Sequence, residues 1–225
     1  ASRERRLAVA DDVIDNGGSL TEIDVDTMLH RHRSARPGFI SLSFDTIAGF
    51  NANAALPHYS ATPESHSTIS GNGLLLIDSG AQYKGGTTDI TRTIPLGPLT
   101  EEERKAYTLV LKGHIALARA RFPERTQGLV LDFAARYAMW QEGMDFGHGT
   151  GHGVGCHLCV HEGPQQIRKN TNAASTTPFV AGMTITDEPG IYISGKFGVR
   201  LENVLLTREA MKTDFGRFLE FETLT

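Results

Sequence analysis

The sequence predicts an α+β fold with a largely antiparallel sheet, and three observations support this. Strand-like and helix-like runs come in clusters along the 225 residues instead of alternating one by one. Two strand-like runs at 74–93 are separated by the glycines of a tight turn, and a long amphipathic pattern follows residue 100. Strict alternation of strands and helices would instead predict a parallel sheet.

Four helices are predicted. The first ends near Asn16 at two glycines, which suit the left-handed position after a last turn, and the second runs from Thr21 to about Arg33. The third follows a capping box at Thr100–Glu103, and the fourth spans about Leu129 to Glu142 before Gly143. The apolar face of the third helix consists of Ala106, Leu109, Val110, Gly113 and Leu117.

The remaining segments predict strands. Phe39–Phe44 alternates between apolar and polar residues, and 49–57 is a Gly/Asn/Ala-rich loop that leads to His58. Three further strands are predicted at Met183–Thr186, Gly190–Ile193 and Val199–Leu206. In both parts of the chain strands follow a helix pair, which predicts two pseudo-symmetric halves.

The hairpin at 74–93 contains an electrostatic anomaly. Gly85-Gly86 supplies the positive φ angles of a turn, and folding the run about the Tyr83–Lys84 junction places Asp78 opposite Asp89. Like charges that face each other across two strands are destabilising, and burial increases that cost. Either a cation lies between the two carboxylates or they share a proton.

Composition excludes several classes of function. With 40% hydrophobic and 21% charged residues the chain resembles ordinary globular proteins, and its net charge of −4 argues against nucleic acid as the main partner. The sequence contains no apolar run of membrane-spanning length, so we expect no membrane partner. Two cysteines are too few for a disulfide framework, which predicts a cytoplasmic location.

Three more residues are in unusual surroundings. His152 lies within a glycine-rich run, Glu188 lies where a strand gives way to a turn, and Glu202 is predicted inside an apolar strand, on the same face as Arg200. Together with the two aspartates they form an oxygen-rich set that suits Mn, Co or Zn. Four carboxylates exceed the needs of one divalent ion with an open position, but they fit two ions roughly 3.5–4 Å apart. A shared proton would leave His152, Glu188 and Glu202 unexplained.

Several longer motifs carry a resemblance to a known family. They resemble the motifs of the pita-bread metallopeptidases, and among these the Xaa-Pro aminopeptidases (aminopeptidase P) in their longer, three-domain form. The likeness runs in order from about His58 to the C-terminus. The motifs are Ile77–Tyr83, Gly86–Thr93, His148–Gly155, Val160–Pro164, Asp187–Gly190 and Arg200–Asn203.

The resemblance implies a fold and a site. The fold would be a curved, largely antiparallel sheet with helices on its outer face. Two divalent ions, with Mn²⁺ expected and Zn or Co as alternatives, would be held by five ligands, of which Asp89 and Glu202 would bridge the ions. The implied ligands are Asp78, Asp89, His152, Glu188 and Glu202. The implied catalytic residues are His58, His148, His161 and Glu188.

The resemblance also implies a reaction, the hydrolysis of the bond between an N-terminal residue and a following proline. A metal-bridging hydroxide would be the nucleophile, His161 would stabilise the oxyanion, and Glu188 would carry the proton to the leaving nitrogen. The substrate partner is thus a proline-containing peptide, and a homodimer is expected by analogy with the family. The alternatives are a prolidase, which cleaves Xaa-Pro dipeptides, and a non-catalytic binding module.

We expect residues 1–225 to form a single catalytic domain of a longer protein. The chain starts at Ala1 within a helical pattern and ends at Thr225 within a strand-like pattern. The N-terminal domains and the C-terminal tail of the long form would then lie outside it.

One motif points elsewhere. The segment Cys156–His161 contains a C-x-x-C and two histidines. A structural zinc site needs four ligands in closed geometry, and a redox motif needs a thioredoxin-like context. We therefore predict neither use, and we expect the segment to be a strand that leads to His161, as in the family. The remaining histidines are expected to be surface or packing residues: His30, His32, His66, His114 and His157.

Overall fold

The computed structural model describes residues 20–225, in which helices pack against antiparallel sheets. The α+β prediction is confirmed. The helix predicted to end near Asn16 lies outside the described residues. The helices are α1 (Glu22–Ser34), α2 (Glu101–Ala118) and α3 (Gly128–Trp140), with a short 3-10 helix at Asn51–Ala55.

The strands are short and numerous. They are β1 (Leu20–Thr21), β2 (Phe39–Leu42), β3 (Ile47–Phe50), β4 (Thr68–Ile69), β5 (Gly73–Ser79), β6 (Ala81–Tyr83), β7 (Gly86–Thr87), β8 (Ile90–Leu96), β9 (Arg121–Pro123), β10 (Gly151–His152), β11 (Gln166–Ile167), β12 (Thr184–Asp187), β13 (Gly190–Ile193), β14 (Phe197–Arg200), β15 (Asn203–Thr213) and β16 (Gly216–Thr223). The two larger sheets have the orders β3-β5-β8 and β12-β15-β16-β9, and all pairs are antiparallel.

The predicted helix boundaries agree with the structure because capping residues mark them. Thr21 caps α1 and Thr100 caps α2, each in a capping box with an acid three residues later. The apolar face predicted for α2 is buried throughout. Gly143, with φ of 69°, follows the end of α3, as the sequence predicts.

Three apolar clusters hold the layers together. Val25 of α1 packs with residues of β3 and β5, including Leu75 and Ile77. Leu117 and Leu131 of the two later helices pack on the four-stranded sheet. A third cluster joins α2 and α3 to β13 and β14. Each half of the chain thus contributes a sheet covered by helix.

The hairpin is present, but its register differs from the prediction by two residues. Asp78 pairs with Thr91, not with Asp89, and Tyr83 pairs with Gly86, so Lys84 and Gly85 form the turn. Only Gly86 of the two glycines has a positive φ, of 148°. The predicted fold point at Tyr83–Lys84 was wrong because the glycines do not fix the turn position by themselves. A shift of two residues keeps every side chain on its face of the sheet.

The two long runs of the hairpin are also interrupted. Gly80 separates β5 from β6, and a Cβ atom there would overlap the carbonyl oxygen of Thr88 and the hydroxyl of Ser43. Thr88 and Asp89 lie between β7 and β8. The interruption places Asp89 just outside the ladder, beside the end of β5 where Asp78 lies.

Two further segments differ from the prediction. The strand predicted at 199–206 is two strands, β14 and β15, and Glu202 lies in the break between them instead of inside a strand. Of the loop predicted at 49–57, Gly49 and Phe50 belong to β3 and 51–55 form the 3-10 helix. At 199–206 the apolar pattern continues across the break, so it carries no signal of the change in backbone direction.

The two halves meet at the edge of β8. The Glu202 amide donates to the carbonyl oxygen of Thr91 at 3.2 Å, and the Thr93 hydroxyl bonds both the carbonyl and the amide of Arg200, at 2.9 and 3.1 Å. These contacts fix the break at Glu202 against the hairpin. No helix in residues 20–225 is long and apolar enough to cross a lipid bilayer.

Candidate metal centre

All the site residues predicted from the sequence line one cavity of about 550 Å³. Asp78 is the penultimate residue of β5, Asp89 precedes β8, and His152 lies in β10, whereas Glu188 and Glu202 occupy the breaks after β12 and β14. The cavity-lining residues among the predicted set are His58, Asp78, Asp89, His148, His152, His161, Glu188 and Glu202. The structure therefore brings together every residue of the set.

His152 lies at the centre of the carboxylates. Its Nε2 is 3.4 Å from Oδ2 of Asp89 and 3.4 Å from Oε1 of Glu188. Potential ligand atoms of Asp89, His152 and Glu202 all lie within 4.8 Å of one another. The His152 Nδ1 contacts the Gly153 carbonyl oxygen at 3.0 Å, and this contact requires the proton on Nδ1. In the neutral ring the Nε2 lone pair then faces the carboxylates, as a metal ligand would.

Asp78 has one oxygen bound and one free. Its Oδ2 accepts a hydrogen bond from Arg200 Nη2 at 2.9 Å. Its Oδ1 is buried and has no hydrogen-bond partner within residues 20–225. A buried carboxylate oxygen without a partner is costly, and a cation is a partner that removes this cost. The donor set and this orphaned oxygen fit divalent metal ions.

Hydroxyl groups orient the two glutamates. Thr91 donates to Oε2 of Glu202 at 2.9 Å, and Thr186 donates to Oε1 of Glu188 at 3.0 Å. The alternation of the predicted strand placed Arg200 beside Glu202, but the carboxylate that Arg200 orients is that of Asp78. The break at Glu202 turns that side chain away from the alternation that had placed it beside Arg200.

Burial governs the electrostatics of the centre. It raises the pKa of Glu188 to about 7 and that of Glu202 well above its ordinary value, and nearby carboxylates such as Asp89 and Asp78 add to both shifts. Burial also raises the pKa of Asp78, against the effect of Arg200. For His152 burial lowers the pKa, but Asp89 and Glu188 raise it to about 9 overall. The centre therefore attracts positive charge.

The other histidines surround the centre. His148 contacts the Tyr192 hydroxyl through Nε2 and the Gly149 carbonyl oxygen through Nδ1, both at 2.7 Å, and burial lowers its pKa to about 4. The His161 ring stacks edge-on against His152 with 4.2 Å between centroids. His58 lines the cavity from the first half of the chain.

Sequence reasoning missed two side chains that support the site. Tyr192 accepts from Arg200 Nη1 at 2.7 Å and contacts His148, so it links the two. Arg136 is fully buried, pairs with Asp132 and donates to the carbonyl oxygens of Phe146 and His148. The only sequence signal for Arg136 is an acid four residues earlier on a helix, which is common on helix surfaces.

The Cys156–His161 segment forms no metal cluster. Both thiols are free and exposed, and the group found among the described residues that could hold a metal is Asp89, His152 and Glu202. The segment is irregular, so the strand expected before His161 is absent. Of the histidines set aside from the sequence, His114 is buried, with Nδ1 3.1 Å from Asp187 Oδ2. It is thus a packing residue behind Glu188.

Comparison with family models decides the family. Residues 5–209 match the model of metallopeptidase family M24. The chain belongs to this family. Among M24 relatives, aminopeptidase P1 of Arabidopsis thaliana is 48% identical over 210 residues, which are 92% of this chain and 32% of the relative. Xaa-Pro aminopeptidase 1 of Dictyostelium discoideum is 47% identical over 92% of this chain and 33% of its own length.

Solved M24 structures agree with the fold. An X-prolyl aminopeptidase from Caenorhabditis elegans, described as a cytosolic enzyme with a di-nuclear active site, superposes with a TM-score of 0.91 at 40% identity and covers 99% of this chain. A prolidase from Pyrococcus furiosus gives 0.79 at 30% identity, covering 98% of this chain and 60% of the prolidase. The predicted pita-bread fold is confirmed. The chain spans about a third of the curated relatives and 36% of the Caenorhabditis enzyme.

The pKa shifts predict how the metal-free protein responds to pH. Glu188 and His152 both hold their protons more tightly when folded, so each contributes stability that is lost as pH rises through its folded pKa. Between about pH 4.5 and 7 the loss from Glu188 alone is roughly 3 kcal/mol, and His152 extends it toward pH 9. Urea unfolding of the metal-free protein at pH 5, 7 and 9 should show this decline.

Two controls accompany this measurement. Glu188→Gln should flatten the decline between pH 5 and 7, because the side chain can no longer titrate. Addition of Mn²⁺ at pH 8 should restore stability, because a metal binds the deprotonated ligands of the folded state. Stability that is constant or rises from pH 5 to 9 would contradict the electrostatic description of the centre.

Proposed function

We propose that this chain is the catalytic domain of a metal-dependent aminopeptidase that removes an N-terminal residue preceding proline. One observation carries the proposal. Four carboxylates and an imidazole, all within motifs shared with Xaa-Pro aminopeptidases, converge in a cavity that is also lined by His58, His148 and His161. The names of the relatives support the same substrate class. A cytoplasmic location is proposed as well, in line with the cytosolic Caenorhabditis enzyme.

The ligand roles are part of this proposal. Asp78, Asp89, His152, Glu188 and Glu202 would hold two divalent ions, with Asp89 and Glu202 bridging them and Mn²⁺ as the expected metal. When bound, the ions would supply Lewis acidity and an activated water near neutral pH. The buried, unpartnered Oδ1 of Asp78 and the short distance from His152 Nε2 to Asp89 support this assignment.

The chain's own residues would perform the remaining steps. Burial lowers the pKa of His161, so its ring is neutral near pH 7 and donates one N–H to the developing oxyanion of the scissile carbonyl. Glu188, with its pKa raised to about 7, is suited to take up a proton and pass it to the proline nitrogen. Both nitrogens of His148 are engaged, so a hydrogen bond to substrate would replace one of these contacts.

A substrate panel tests the proposal against its alternatives. The Mn²⁺-loaded protein should cleave a tripeptide Xaa-Pro-Xaa to release the first residue, with a kcat/KM at least tenfold above that for the Xaa-Pro dipeptide. Cleavage of the dipeptide alone would favour a prolidase, for which the 30% identity to the Pyrococcus enzyme is the supporting observation. Bound metal below one ion in ten chains would favour a non-catalytic module.

Two variants separate metal ligands from residues that act on substrate. Asp89→Asn should remove at least one ion per chain and lower turnover by a thousandfold or more, because the amide loses the charge that a bridging ligand supplies. His161→Ala should keep the full metal content and lower kcat by roughly 10²- to 10³-fold, the effect of losing one oxyanion donor. Metal content by mass spectrometry and peptidase kinetics give both readouts. Metal loss in His161→Ala would make it a ligand.

A homodimer is proposed on separate grounds. One side of α3 exposes four large apolar residues at helical spacing, with Phe133 packed against Tyr137 and Trp140. Exposed apolar surface of this kind marks interaction sites. The exposed residues of this face are Val130, Phe133, Tyr137 and Trp140, whose exposed fractions are 63, 53, 51 and 40%.

Charge on this face should dissociate the dimer. Phe133→Glu should raise the dimer dissociation constant at least 100-fold in sedimentation velocity, because it places a carboxylate in the apolar contact. Phe215→Glu is the matched control, since Phe215 is 93% exposed and lies on the β15–β16 turn, outside α3. A wild-type protein that is monomeric at 50 µM, or a dimer that Phe133→Glu leaves intact, would refute the proposal.

A further inference from the structure

Glu22 is an acidic residue that is buried without an ion pair among residues 20–225. It is the first residue of α1, directly after the N-cap Thr21, and it is 0% exposed. None of the ion pairs among residues 20–225 includes it. A buried carboxylate needs dense hydrogen bonding in place of a counter-ion, and its position in the first turn of a helix adds a favourable dipole.

Neutral donors surround the Glu22 carboxylate on both oxygens. Oε1 accepts from the Phe50 amide at 2.6 Å, and Oε2 accepts from the Ser67 amide at 2.7 Å and from the Tyr59 hydroxyl at 2.8 Å. The side-chain amide of Asn53 contacts both oxygens, at 3.2 and 3.0 Å. These donors come from the start, the middle and the end of the segment 50–67.

The same segment forms one wall of the cavity. Pro57, His58, Tyr59 and Ser60 line it. The Tyr59 hydroxyl also contacts the Ser65 carbonyl oxygen at 2.9 Å, which closes the segment on itself. The His58 side chain forms no hydrogen bond of its own within the described part of the chain, so the backbone on either side determines where it lies.

We propose that Glu22 is a positioning residue that acts through His58, by holding the segment 50–67 at both ends and at Tyr59. The inference rests on the proposed function and on the catalytic role that the family resemblance implies for His58. It adds a residue from outside all the motifs shared with Xaa-Pro aminopeptidases, 36 positions before the histidine that it positions.

The geometry requires a carboxylate at this position. Glutamine keeps the length of the side chain, but one of its two terminal atoms is an NH₂ group that donates and does not accept. Whichever way the amide turns, the NH₂ group would face a backbone N–H, of Phe50 or of Ser67, and leave that buried donor without a partner. The segment 50–67 would then move by up to about 1 Å, which is enough to lower kcat/KM by up to about 100-fold.

A double-mutant cycle distinguishes positioning from general support of the fold. Glu22→Gln, His58→Ala and the double variant are compared with wild type by kcat/KM on an Xaa-Pro-Xaa peptide, together with metal content. In the wild-type background, Glu22→Gln should lower kcat/KM 10- to 100-fold with metal content unchanged. In the His58→Ala background, the same substitution should lower kcat/KM less than twofold. The proposal would be overturned if Glu22→Gln lowered kcat/KM equally with and without His58, or lowered it less than twofold in the wild-type background.

A matched control and a second readout complete the design. Glu103→Gln removes the acid of the capping box of α2, also in a first helical turn but away from the cavity, and should leave kcat/KM within twofold. Amide hydrogen exchange of 50–67 should accelerate at least tenfold in metal-free Glu22→Gln and not in Glu103→Gln; unchanged exchange would count against the proposal.

Tyr59→Phe covers the case in which Glu22→Gln does not fold. It keeps the ring, removes one donor to Glu22 and should show the same dependence on His58. A wild-type protein without peptidase activity, or a His58→Ala variant with full activity, would refute the proposed function or the role of His58. Accelerated exchange in Glu22→Gln would still show that Glu22 holds the segment.

Discussion

The structure depends on the placement of four carboxylates in one cavity beside a single paired cation. Arg200 bonds Asp78, and this is the only ion pair in the described chain that joins an arginine or lysine to one of the four. The carboxylates of Asp89, Glu188 and Glu202 face His152 and one another at short range. In a medium of low dielectric constant, carboxylates this close together favour the protonated form over the ionised one. The raised pKa values of the two glutamates express this constraint, and bound cations would relieve it.

The fold places these charges by interrupting its strands. Asp89, Glu188 and Glu202 all lie in breaks between strands, where the backbone is not committed to a ladder and the side chain can turn toward the cavity. Each break is fixed by specific bonds. The Glu188 amide donates to the carbonyl oxygen of Thr150 at 2.8 Å, and the Glu202 amide donates to that of Thr91. The sheets therefore hold the backbone rigidly, and the breaks between strands turn the ligand side chains toward the cavity.

Local patterns and side-chain chemistry were sufficient to predict the helices of residues 20–225, the α+β class and the oxygen-rich set around His152, whereas the other histidines of the cavity came from the family resemblance. Caps at Thr21 and Thr100 mark helix starts in a way that does not depend on distant contacts. The register of the hairpin and the break at Glu202 were not predictable in this way. Both are decided by partners far along the chain, such as the contact of Glu202 with Thr91, which lies 111 residues earlier.

The residues that support the site were the hardest to predict, and the reason is physical. A ligand carboxylate looks anomalous in its own apolar segment, whereas Glu22 and Arg136 occupy ordinary positions in amphipathic helices, where a charge predicts a solvated face. Their burial is a property of the assembled fold, since the donors to Glu22 lie 28 to 45 residues away. Once buried, each must satisfy all its hydrogen-bonding atoms, and the backbone groups that satisfy them belong to the loops that carry His58 and His148. Because a buried charge must keep these hydrogen bonds, Glu22 and Arg136 restrain the position of the loops that form the cavity wall. The helices influence the site through these restraints.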